Sequence, residues 1–145
     1  IKYKSGANID SEILFLENLL SPNKKEIFEK LNLLKLKKFY GLDNLFKEFE
    51  LSSNNFLKNN FIEKNNNSLI TFVSKFIDIK PNNLETYHSD EINIIIQAKK
   101  YLKDDDIKES LNQILLIDEN ADFFSKWINQ AKIYLNFTNE ISKVI

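Results

Sequence analysis

Cysteine is absent from this 145-residue chain. Its absence excludes a disulfide framework, a thiolate metal site and a cysteine nucleophile. Arginine is absent as well. All 20 basic residues are lysine, set against 21 acidic residues for a formal charge of -1. Nucleic-acid binders concentrate positive charge and use the arginine fork on bases and phosphates. With neither feature, nucleic acid is not an expected partner. Only two glycines and two prolines occur, and the sequence has no Gly-rich phosphate loop and no GxSxG turn. His88 is the single histidine. It cannot alone build a zinc site, which takes several nitrogen or sulfur ligands. No serine or carboxylate is tied to it by spacing, so it reads as a loop or capping residue. No apolar run reaches the ~18–20 residues of a membrane span, and no signal peptide is visible. A start at Ile1 is what a processed product or an excised piece of a longer chain would show. The piece itself is expected to be soluble.

What is present is asparagine, as abundant as lysine, with many isoleucines, leucines and phenylalanines. AT-rich coding favours several of these residues, so the bias reads as genomic and the asparagine clusters as polar loop filling. The length suits one domain over 1–145, with 78–88 as the place where it would divide. A domain of this size buries roughly 68–70% of its unfolded surface and needs no staples.

Helical periodicity dominates, and an all-α fold of short amphipathic helices packed as antiparallel hairpins is expected. Asp10 is placed to cap a helix carrying Ile13, Leu16, Leu19 and Leu20. Ser21-Pro22 starts a second, with Ile27, Phe28, Leu31, Leu34 and Leu36, running to Phe39 and stopped at Gly41. A short third helix holds Leu42, Leu45, Phe46 and Phe49. Ser52 and Ser53 open a more polar stretch, and a fourth helix follows through Phe56, Leu57 and Phe61. The segment 69–79 fits strand and helix alike; helix is preferred because no strand partner is evident. Pro81 makes the next stretch extended. Ser89 caps a helix with Ile92, Ile95, Ile96 and Leu102. A turn at Asp104–Asp106 leads to Ile107, Leu111, Ile114 and Leu115, and a last helix carries Phe124, Trp127, Ile128, Ala131 and Leu135. This final third, 89–138, has a tetratricopeptide-like form, although no fixed-period repeat exists.

Three features could carry function. Asp104, Asp105, Asp106 and Glu109 form the densest acidic cluster, but the EF-hand pattern is missing, and acidic residues in a first helical turn complement its dipole. No metal, cofactor or catalytic residue is expected. The segment 56–77 mixes Phe56, Leu57, Phe61, Phe72 and Phe76 with Lys58, Lys64 and Lys75, a composition that could lie in a bilayer interface or pack as ordinary helices. Trp127 belongs to an apolar stripe with Phe124 and Ala131. Such a stripe is core by default, with an edge bordering a partner surface as the alternative. Ile95, Ile114, Phe124, Trp127 and Ala131 are the candidate partner-binding residues.

Four stretches, in order, resemble the C-terminal domain of mitofilin in its bacterial, mainly alphaproteobacterial, form: "GANIDSEI" (6–13), "YGLDNLFKEF" (40–49), "FVSKFIDIKP" (72–81) and the run from Ile92 to Lys132. The chain departs from that pattern at Asn8, Asp43-Asn44, Lys80 and Asp104. The resemblance implies a non-catalytic membrane-shaping scaffold, anchored by an upstream transmembrane helix and coiled coil and facing the periplasm. It implies self-association, docking to outer-membrane assembly machinery and contact with a phospholipid surface. The alternative is a soluble adaptor that grips a peptide in a groove near Ile95, Ile114 and Trp127.

Overall fold

A computed structural model of the chain describes residues 1–19, 24–62 and 90–144, with backbone alone at Phe61 and Ile62. The fold is all-α, as the periodicity predicts; no strand occurs among the described residues. A 3-10 turn at Tyr3–Ser5 precedes α1 (Asp10–Leu19), α2 (Lys25–Lys35) and α3 (Leu42–Leu57). A π turn at Lys58–Ile62 follows, then α4 (Asp90–Lys103), α5 (Ile107–Ile117) and α6 (Ser125–Ser142). The expected start at Ser21-Pro22, the segment 69–79, Pro81, His88 and Ser89 all lie outside the described residues.

The chain groups into two compact units. A terminal unit comprises Ile1–Leu45 and Asn129–Ile145, and a middle unit comprises Phe46–Ile128. The division falls within α3 and within α6.

In the terminal unit, Ile13 of α1, Phe28 and Leu31 of α2, and Phe137 and Val144 near the C-terminus form the core. Burying each of the larger side chains stabilises the fold by roughly 1.5–3 kcal/mol. Tyr3 stacks on Phe137 at 3.8 Å and on Phe39 at 5.1 Å between ring centres. The N-terminus of α1 is capped by Asn8 rather than Asp10: the Asn8 side-chain oxygen accepts the Asp10 N–H at 2.8 Å. Helix α2 ends at Lys35, well before Gly41. Gly41 instead opens α3, its carbonyl accepting the Leu45 N–H at 3.0 Å.

The chain's two glycines serve one contact. Both have positive φ, 76° at Gly6 and 99° at Gly41. A Cβ on Gly6 would lie 2.7 Å from the Tyr40 carbonyl carbon, and one on Gly41 would lie 2.8 Å from that of Ser5. Only residues without a Cβ let these backbones meet at such an approach. Gln130 fixes the same connection. Its amide donates to the Lys38 carbonyl and accepts the Tyr40 N–H, each at 2.9 Å.

The middle unit is built on a hairpin of α4 and α5. Asp105, with φ 60°, stands where a left-handed residue ends α4. The Asp106 N–H returns to the Tyr101 carbonyl at 2.9 Å and the Asp105 N–H to Leu102 at 3.2 Å, the double closure of a Schellman end. Asp106 then caps α5 by accepting the Glu109 N–H at 3.1 Å. The acidic cluster thus ends one helix and starts the next. Across the hairpin, the buried Ser110 hydroxyl donates to the Ala98 carbonyl at 2.8 Å. Ser52 and Ser53 do not interrupt α3. They are buried on its inward face between Phe49 and Phe56, and burial there overrides their modest helix propensity.

Candidate docking surface

The partner-binding residues expected from sequence lie in the interior. Ile95, Ile114, Phe124, Trp127 and Ala131 have no exposed surface. Ile95 and Ile114 are held inside by the α4–α5 hairpin. Phe124 and Trp127 join Phe49, Phe56 and Phe123 in an aromatic cluster, with Trp127 edge-on to Phe49 at 5.4 Å and Phe56 edge-on to Phe123 at 5.4 Å. The Trp127 stripe is therefore core, and Ile95, Ile114 and Trp127 are enclosed rather than lining an open surface. Among the described residues the Trp127 Nε1 is buried without an acceptor, so ring packing there retains an indole without the partner expected for it. Asp118 closes this region. Its carboxylate accepts the N–H groups of Asp122, Phe123 and Phe124 at 2.9, 3.0 and 2.7 Å.

Of the residues expected at a lipid surface, Phe56 and Leu57 are buried. Their place in the aromatic core takes them out of any bilayer-facing set. Lys58 is exposed. The Phe61 side chain, Lys64, Phe72, Lys75 and Phe76 lie outside the described residues.

An exposed apolar stripe lies elsewhere, on α1. Its run Ile13-Leu14-Phe15-Leu16 cannot share one face, because successive helical residues turn by ~100°. Ile13 and Leu16 turn to the terminal core. Leu14, Phe15 and Leu19 stand 59, 63 and 64% exposed. With Ser11 and Asn18 they occupy positions i, i+3, i+4, i+7 and i+8 of the outward face. Carboxylates flank this stripe. Glu12 pairs with Lys2 and Asp10 with Lys35 at 3.2 Å. The Lys2 contact holds the Glu12 carboxyl below its usual range, and hydrogen bonds from Asn8 and then Lys35 do the same for Asp10. Sequence reasoning placed Leu19 in the core and missed Leu14 and Phe15. The signal was the four-residue apolar run itself.

At the N-terminal end of α1 lies a half-open cavity of about 460 Å³. Tyr3, Ile9 and Phe39 supply apolar wall, Gly6 to Asp10 one backbone rim, and Lys35, Lys37 and Lys38 the other. Burial pushes the Tyr3 phenol well above its usual range, with Tyr134 adding to the shift. No cluster of potential metal ligands and no helix able to cross a membrane occurs among the described residues.

Comparison of the chain with protein-family models, curated proteins and solved structures returns no match.

Proposed function

We propose that this chain is a non-catalytic docking module that holds a protein partner through the outward stripe of α1. The supporting observation is that Leu14, Phe15 and Leu19 stand in solvent while Ile13 and Leu16 of the same helix enter the core. An exposed run of this kind on a folded helix is costly to solubility unless a partner covers it. The occupant follows from charge. Helix α1 carries Asp10, Glu12 and Glu17 and no lysine, so an anionic bilayer is a poor match and a protein surface a better one. The mitofilin resemblance would place such a module in a membrane-shaping scaffold at the periplasmic face of an inner membrane. There docking and self-association would be its tasks, with lipid contact made by other residues.

Photocrosslinking from position 15 tests this reading. A benzophenone side chain there should give a discrete protein adduct in extracts of the source cells, and Leu19→Asp should remove it. A chain whose adducts are unchanged by Leu19→Asp would refute the stripe as the docking site. Flotation on anionic vesicles that survives Phe15→Asp and Leu19→Asp would refute it too, by making a bilayer the main partner through another surface.

A further inference from the structure

The cavity beside α1 has a chemistry that neither the sequence motifs nor the docking stripe uses. It is lined by three lysines and one carboxylate, over an apolar wall of Tyr3, Ile9 and Phe39. Its volume lies within the ~300–1,000 Å³ of ligand pockets, where an apolar lining and a few placed polar groups set specificity. The three cations are not equivalent. Lys35 is shared with Asp10 at 3.2 Å. The Lys38 ammonium lies 5.1 Å above the Tyr40 ring. Lys37 is exposed and has no ion pair among the described residues. The site therefore holds excess positive charge with one ammonium uncommitted.

Both rims are held by fasteners independent of any ligand. Gln130 fixes the backbone of Lys38 and Tyr40. The Gly6–Gly41 contact closes one end, and Asn8 ties the other rim to α1. Rims fixed in this way need little ordering when a ligand binds.

We propose that this cavity binds a carboxylate carried on an apolar body, with Lys37 and Lys35 facing the anion and Tyr3, Ile9 and Phe39 facing the body. Two sources share that chemistry: the C-terminus of a protein chain ending in an apolar residue, and a free aromatic acid. Only the first rests on the docking reading, because it would give the partner a second anchor next to the α1 stripe.

The experiment is an NMR titration of the full chain with N-acetyl-L-phenylalanine, its carboxamide, and a short peptide ending in phenylalanine with a free C-terminus. The acid should shift the Ala7, Asn8, Lys38 and Phe39 amides saturably. The carboxamide should bind about tenfold more weakly, as loss of a charge-assisted contact predicts. Lys37→Gln, an exposed change that leaves the fold intact, should weaken the acid by a similar factor, and Lys35→Gln should do so independently. Acid and carboxamide binding equally, affinity unchanged in Lys37→Gln, or no shift at those four amides would each overturn the proposal. The peptide binding at least as well as the acid identifies a protein C-terminus; the acid binding with the peptide excluded identifies a free acid. Crosslinking from position 15 does not enter this titration, so failure of the stripe and failure of the cavity are read separately.

Discussion

Phe49 and Phe15 both sit within amphipathic helices, and their surroundings differ completely. In the middle unit Phe49 is enclosed by Phe124 and Trp127, and of the large apolar side chains described there only Leu51 and Leu116 are exposed. In the terminal unit Phe15 faces solvent with Leu14 and Leu19, and Leu33, Leu36 and Tyr40 are also exposed. The means of closure differ as well. The middle unit is sealed by ring packing and by carboxylates on backbone N–H groups, at Asp106 and Asp118. The terminal unit is joined by backbone approach at Gly6 and Gly41 and by the Gln130 amide. The contrast teaches that apolar content alone does not locate a core. What matters is whether a helix has neighbours on every side where its apolar residues point.

Trp127→Ala tests the contrast most severely. Removing a fully buried indole should cost about 3–5 kcal/mol in chemical denaturation, where a surface tryptophan would cost under ~1 kcal/mol. Gly6→Ala comes next. A side chain at φ 76° with a Cβ 2.7 Å from Tyr40 is both strained and obstructed, and a loss of about 1–3 kcal/mol is expected. Hydrogen exchange should show it first at the α1 and α2 amides; unchanged protection there would mean that the glycine contact does not hold the terminal unit. Asp118→Ala leaves three N–H groups without their acceptor and should cost about 1–3 kcal/mol, with Asp118→Asn losing less because one acceptor oxygen remains. Equal losses in both variants would show that charge, not acceptor count, closes the loop.

A smaller effect concerns pH. The folded-state pKa of Tyr3 is raised by burial, so the neutral phenol is the form the fold favours. Its contribution is complete below the unfolded tyrosine pKa of ~10 and declines as pH rises above it. Tyr3→Phe should flatten the alkaline loss of stability, and an unchanged slope would assign that loss to other groups. The smallest effect belongs to Phe15→Asp. On an exposed stripe it should change stability by no more than ~0.5 kcal/mol, as should Leu19→Asp, the change expected to remove the adduct crosslinked from position 15. A large destabilisation would mean that Phe15 is core after all and would erase the contrast between the units.

Much of the fold was legible in the chain. The stripes Ile92-Ile95-Ile96-Leu102 and Ile107-Leu111-Ile114 identified the α4–α5 hairpin, and Asp106 was recognisable as an acidic helix start, because these signals are local. Other features were misread where tertiary burial outweighed local preference. Ser52 and Ser53 looked like a break and lie inside α3. Gly41 looked like a helix stop and opens the next helix. Ile95, Ile114, Phe124, Trp127 and Ala131 were candidates for a partner surface, with core as the default for the Trp127 stripe, and all five are interior. Phe56 and Leu57 were proposed for lipid and are interior as well.

The sequence by itself determined the helical periods, the turn and cap at Asp104–Asp106, and the absence of cysteine, arginine and a Gly-rich phosphate loop. Each of these depends on residues within a few positions of one another. Only the tertiary structure decided which side of α1 faces outward, that the two glycines meet each other, that Gln130 reaches the backbone of Lys38 and Tyr40, and that three lysines border one cavity. Those outcomes depend on helices distant in sequence coming together, and on which apolar faces find a neighbour when they do.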